Sequence, residues 1–270
     1  MKRHREGDGR TDDVSRMRTA IGLVAGFAVS LAAGSASAAE PTILPADLID
    51  LSPWRLTLPV DTDRPGNPDE IRRPALDRFV EEALFFVGDP IGGSTAATVR
   101  FRAPCGGATT RGSRYPRSEL RETQPGGEQA DWSTADDATH TMTLRAAIVA
   151  LPPKKRHVVC AQIHDADDDL LMVRLEGTKL FIERNDLDEV MLDRRYALGT
   201  PFDIRIVAGH GRVQVDYNGE RALDWAVDRD GCYFKAGCYT QSNLKSGDAP
   251  ESFAEVAIES LRVTHRTDGE

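Results

Sequence analysis

The chain has 270 residues, a formal net charge of −9, 40% hydrophobic and 29% charged residues, 23 Gly and 15 Pro. Ordinary apolar content excludes a disordered, collagen-like or repeat-array protein, and this length is ordinary for one all-β domain. The acidic balance argues against general nucleic-acid binding, so no nucleic-acid partner is expected.

In chain order, a basic leader from Lys2 to Arg18 precedes the apolar run Ala20–Ala33 and the small-residue segment Gly34-Ser-Ala-Ser-Ala-Ala39. This is the pattern of a secretory signal cleaved near Ala38 or Ala39. A membrane anchor needs roughly 20 apolar residues, more than the run supplies. Met17-Arg18 just ahead of the run offers an alternative start. Residues 1–39 are therefore expected to be a signal peptide and leader, and residues 40–270 one secreted, extracellular domain with no membrane partner. Six of the 34 basic and four of the 43 acidic residues lie in the leader, leaving 28 and 39, or net −11. Export puts Cys105, Cys160, Cys232 and Cys238 in an oxidising compartment, where two disulfides are expected with three connectivities open.

Past residue 40 a helix is expected only within Asp69–Glu82, shortened by Pro74. Period-2 runs follow at 140–151, 170–175, 179–184, 202–207 and 254–264, each bounded by Gly, Pro, Asn or Asp. Residues 212–217 and 220–225 flank Asn218-Gly219, the signal of a hairpin with a type I′ turn. The fold class is all-β: a sandwich of two antiparallel sheets, of which the jelly roll is the kind expected at this size.

Three segments depart from apolar/polar alternation by massing hydrogen-bonding groups on one face. Strand geometry aligns Arg117, Glu119 and Arg121 in Tyr115-Pro-Arg-Ser-Glu-Leu-Arg-Glu122, Gln162 with His164 in Val158–Asp165, and Tyr233, Lys235, Tyr239 and Gln241 in Cys232–Gln241. Singly, each is the pattern of a solvated face or a structural residue, and the other five His are read that way. Together, a surplus of donors and cations around one acid suits a carboxylate-bearing sugar polymer.

Tyr-Pro-Arg-Ser-Glu-Leu-Arg-Glu (115–122), Gln-Ile-His (162–164) and Tyr-Phe-Lys-Ala-Gly-Cys-Tyr-Thr-Gln (233–241) resemble, in order and spacing, the three motifs of alginate lyases of polysaccharide lyase family 7. Trp54-Arg-Leu-Thr-Leu-Pro-Val60 is similar to that family's first strand. The resemblance spans roughly residues 50–265. It implies a β-jelly roll of the concanavalin A-like kind with a concave substrate groove, no cofactor and no metal, and a monomer acting on alginate by β-elimination.

On that implication Arg117 and Gln162 neutralise the uronate carboxylate, with the choice between Arg117 and Arg121 open, and Tyr239 protonates the departing O4. His164 serves as base for one C5 epimer, and Tyr239 as both base and acid for the other. Arg121, Glu119, Lys235, Tyr233 and Gln241 bind or support substrate, Glu119 as the partner that holds the guanidinium groups in place. Ile163 in Gln-Ile-His goes with guluronate-containing blocks, and no visible extra domain blocks internal cleavage. The rival readings are a lyase on another polyuronate such as glucuronan, or a noncatalytic acidic-polysaccharide-binding module. A glycoside hydrolase fits less well because it normally needs two carboxylates and the motif strands aim one acid, Glu119, at the face.

Overall fold

Alternation of apolar and polar side chains builds almost every element of this chain, and hydrogen bonding leaves little helix. The computed structural model describes residues 43–185 and 187–267, so the expected leader lies outside the described residues. The strands are β1 (Trp54–Thr57), β2 (Glu70–Ile71), β3 (Phe85–Gly88), β4 (Thr98–Pro104), β5 (Arg117–Glu122), β6 (Ala138–Ala150), β7 (His157–His164) and β8 (Asp169–Glu176). They continue with β9 (Lys179–Glu183), β10 (Val190–Asp193), β11 (Phe202–Gly209), β12 (Arg212–Tyr217), β13 (Glu220–Ala226), β14 (Tyr233–Thr240) and β15 (Phe253–Thr267). They form an eight-stranded sheet in the order β10-β9-β8-β7-β14-β5-β1-β2 and a seven-stranded sheet in the order β13-β12-β11-β6-β15-β4-β3. Every pairing is antiparallel, and the two sheets make the expected sandwich.

The core lies between the sheets. Trp54, Leu56, Leu120, Ile163, Phe234 and Ala236 point inward from the first, and Val99, Phe101, Met142, Ile148, Ile204 and Ile258 from the second. Each large side chain buried this way contributes about 1.5–3 kcal/mol relative to exposure. At one end the core turns polar without leaving bonds unmade. Glu122 accepts from Trp132 Nε1 at 3.0 Å and from the Phe234 amide at 2.8 Å, and it meets His265 Nε2 at 2.6 Å. His265 in turn reaches His140, which stacks on Trp132 and has a basicity lowered mainly by burial. These contacts tie β5 to β6 and β15, locking one sheet over the other.

The Asn218-Gly219 hairpin forms as expected: both residues have positive φ, 49° and 84°, between paired β12 and β13. One expectation is narrowed and another corrected. Asp69–Glu82 is helical only in the short stretch after Pro74, because its ends are drawn into pairing: Glu70 and Ile71 pair with β1, and Glu81 bridges Phe85. Only Ala75–Arg78, just after Pro74, makes a 3-10 turn, burying Leu76. The four cysteines are free rather than disulfide-bonded. Three of the thiols have their own neighbour instead: Cys160 the Val173 carbonyl, Cys232 the Arg229 carbonyl, Cys238 the Thr240 hydroxyl. Burial pushes the Cys105 thiol up to about 11 and those of Cys160 and Cys232 to about 12, so all three stay protonated and unreactive.

Candidate active site

The outer face of the eight-stranded sheet carries a groove of about 780 Å³, and the three motif strands β5, β14 and β7 lie side by side beneath it. Register aligns their polar residues into rows across the strands. Arg55 of β1 stands opposite Arg121, Arg121 opposite Lys235, and Lys235 opposite Gln162. Like charges placed directly opposite on a sheet repel. Three cations in one row are therefore a cost to the empty protein that a polyanion relieves.

The next row explains how the cations are held. Glu119 sits opposite Gly237, whose φ of 139° and lack of a side chain leave room: a Cβ there would meet the Ser118 carbonyl at 2.7 Å and the Glu119 Cα at 2.9 Å. Glu119 is 1% exposed and binds Arg117 Nη1 and Lys235 Nζ, both at 3.0 Å, while Gln162 Nε2 donates to its other oxygen. Burial alone would raise the Glu119 carboxyl, yet Lys235 and Arg117 outweigh it and hold the group below the usual glutamate range. Burial also pulls the Lys235 ammonium down to about 7, against the pull of Glu119. Glu119 is thus a buried clasp below the groove, tying together Arg117, Lys235 and Gln162 but not Arg121, whose Nη1 donates to Gln129 Oε1 at 3.1 Å.

The third row puts Tyr239 opposite Arg117, with the guanidinium carbon 3.8 Å from the ring centroid and Lys235 Nζ 5.9 Å away. The negative face of the ring attracts the guanidinium that lies over it. The Tyr239 hydroxyl lies 3.0 Å from Ser113 Oγ. At the other end of β14, His164 stacks on Tyr233 with centroids 5.1 Å apart, and Arg121 lies over the same tyrosine. His164 Nδ1 sits 2.7 Å from the Asp165 carbonyl, which can only accept. The proton is therefore on Nδ1, and Nε2 carries the lone pair. Burial first, then Lys235, lower the basicity of His164, so the ring is neutral at neutral pH and can take a proton.

Of the residues expected from sequence, Arg117, Arg121, Gln162, His164, Tyr233, Lys235 and Tyr239 all line the groove. Glu119 lies beneath it. Gln241 is not among the lining residues: it follows the last residue of β14, is 6% exposed, and its amide bonds to the His157 carbonyl. Sequence reasoning missed Ser113, Arg55, Gln129 and the acidic stretch Asp167–Asp169 at the β7–β8 turn. There Asp169 is pushed up to about 6 by burial and by Asp168. Alternation in Trp54–Thr57 could have exposed Arg55; nothing local marks the others, of which Ser113 and Asp167–Asp169 line the groove and Gln129 accepts from Arg55 and Arg121.

A sequence profile of the alginate lyase family matches residues 49–265. The structure is similar to the alginate lyase AlgAT5 from polysaccharide lyase family 7, with TM-score 0.76 and 45% identity over 83% of this chain and 100% of that one. It is also similar to the alginate lyase from Corynebacterium sp., with TM-score 0.75 and 42% identity over 84% and 100% of the two chains. The alginate lyase A1-II′, solved in complex with the substrate GGMG as a variant with one His and one Tyr replaced, matches with TM-score 0.69 and 26% identity, covering 85% and 100%. An alginate lyase from Klebsiella pneumoniae is 39% identical over 79 residues, 29% of this chain and 24% of its own length, so the match spans about a quarter of that relative.

Proposed function

Because this chain belongs to the alginate lyases of polysaccharide lyase family 7, we propose that it is itself an alginate lyase, cleaving the polymer internally by β-elimination with preference for guluronate-containing blocks. The observation that carries the reading is the clustering of Arg117, Gln162 and Lys235 about the buried Glu119, with Tyr239 laid against Arg117. The C5 proton of a uronate is weakly acidic because its loss adds charge beside a carboxylate. Arg117 spends Nη1 on Glu119 and has guanidinium donors left for that carboxylate, with which Gln162 shares the enolate-like transition state. As C5–H breaks, its proton passes to His164 Nε2 for one epimer or to the Tyr239 phenolate for the other, its electron pair forms the C4–C5 double bond, and the C4–O4 bond breaks with Tyr239 giving a proton to O4.

Guluronate preference rests on Ile163, which is fully buried and paired with Phe234 and Leu171, so it acts by setting the strand under Gln162 and His164. Division of labour at C5 gives the test. The C5 proton points to opposite sides in the two epimers, and His164 presents its free Nε2 to one of them. His164→Ala is expected to change the ratio of guluronate to mannuronate cleavage by tenfold or more, followed by ultraviolet absorbance of the unsaturated product. Equal losses on both block types, with a matching fall in melting temperature, would mean that His164 is only structural.

We also propose export, with the protein working outside the cell as a monomer. Export rests on the apolar Ala20–Ala33 run and the small residues after it. N-terminal sequencing of protein from culture medium is expected to read from Ala39 or Glu40; a start upstream of Ala20 rejects the signal peptide.

A further inference from the structure

The phenolic oxygen of Tyr239 has one hydrogen-bond partner among the described residues, the hydroxyl of Ser113 at 3.0 Å. The loop holding Ser113 is fastened at several points. The Ser113 amide bonds to the Thr110 carbonyl, Asn243 Nδ2 to the Arg114 carbonyl, and the Thr240 amide, next to Tyr239, to the Pro116 carbonyl. Ser113 Oγ accepts from the Tyr115 amide at 3.1 Å and lies 3.2 Å from the Tyr115 carbonyl.

A hydroxyl has one proton and two lone pairs. With one lone pair taken by the Tyr115 amide, two arrangements remain. When Tyr239 is a phenol it donates to Ser113, and Ser113 donates to the Tyr115 carbonyl. When Tyr239 is a phenolate, a turn about the Ser113 Cβ–Oγ bond brings the proton onto the charged oxygen. The other charged or titratable groups around this oxygen do not hydrogen-bond to it. Arg117 from β5 and Lys235 from β14 lie against the ring, both paired with Glu119; Tyr115 meets the ring edge-on at 6.4 Å with Lys155 Nζ on its own hydroxyl at 2.7 Å; and β7 presents Val159.

We propose that Ser113 is a positioning residue for the elimination, a rotating donor that stabilises the phenolate of Tyr239 at the moments when the tyrosine is without its proton. The inference rests on Tyr239 being the acid and base of the reaction. In that cycle the phenolate takes the C5 proton and passes it to O4, the C4–O4 bond breaks as the C4–C5 double bond forms, and the enzyme returns to its starting state. Ser113 exchanges no proton with substrate; it only changes which oxygen it faces. Its hydrogen bond is to a charged group in one state and a neutral one in the other, so its loss weighs mainly on the phenolate.

The test is the pH dependence of kcat/KM for the wild type, Ser113→Ala and Ser113→Thr on mannuronate oligomers, whose C5 proton and O4 lie on one face within reach of a single residue, read by product absorbance. In Ser113→Ala the acid-side rise of the profile is expected to move up by about one pH unit. The deficit is then roughly tenfold on the acid side and shrinks as pH increases, with KM changed less than threefold. Ser113→Thr, which keeps the hydroxyl, is expected to restore the wild-type profile. A loss that is the same at every pH, an unshifted profile, or a threonine variant as displaced as the alanine variant overturns the proposal. Tyr239→Phe measured alongside separates the two levels: an active phenylalanine variant removes the premise, whereas an inactive one with an unmoved Ser113→Ala profile removes only the role of Ser113.

Discussion

Tyr239→Phe is expected to lower kcat by about 10² to 10⁴, the range for loss of a positioned acid or base, while the protein melts within a few degrees of the wild type. The two effects separate because the hydroxyl and the ring do different things. The hydroxyl makes one hydrogen bond, to Ser113, and supplies the proton to O4. The ring keeps its contact with the Arg117 guanidinium and its edge-on packing with Tyr115, and phenylalanine preserves both. KM should move little, because the ground-state carboxylate is held by Arg117 and Gln162. Product absorbance on guluronate and mannuronate blocks, with circular dichroism and a thermal melt, is the measurement. Elimination near the wild-type rate by the folded variant would reject the mechanism.

Glu119→Gln is expected to be the most damaging single change to the groove floor. It removes the one negative charge between Arg117 and Lys235, groups 6% and 2% exposed, while leaving size and shape nearly unchanged. Breaking a buried ion pair from one side costs about 3–5 kcal/mol, because the remaining charge stays desolvated. For a domain of this size that corresponds to a melting temperature lower by roughly 10 °C. Catalysis should fall as well, since Gln162 and Arg117 lose their common anchor. The pH dependence has a definite sign. Glu119 has a folded pKa below its unfolded value, so its contribution is complete above about pH 5 and disappears as pH falls through the lowered value. The gap between the two melting curves is therefore expected to be full near pH 6, where Glu119 is charged and Lys235 keeps its proton, and to narrow as pH falls below about 4; a gap that widens there would contradict the ion-pair account.

Much of this was legible from residue order. Alternation is a local property, so the strands 202–209 and 212–217, the Asn218-Gly219 turn, and the shared face of Arg117, Glu119 and Arg121 follow from neighbours two residues apart. The three motifs likewise carry their chemistry within a few residues each, which is why seven of the nine residues singled out in them reach the groove lining.

What residue order left open is whatever depends on which strand lies beside which, and in what register. Glu119 stands opposite Gly237 only because β5 and β14 pair with Cys238 against Ser118, and that pairing gives the expected partner of the guanidinium its buried seat and adds Lys235 to it. The row from Arg55 to Gln162 exists only because β1, β5, β14 and β7 are neighbours, although they come from four separate parts of the chain. Asp69–Glu82 has the composition of a short helix, but β1 and Phe85 compete for its backbone. Cys160 and Cys238 differ by the same cause, since β7 and β14 carry each of these thiols to its own partner. Propensity and alternation act between near neighbours, whereas register is set by the sum of contacts across two whole sheets, and it is register that sets Tyr239 against Arg117.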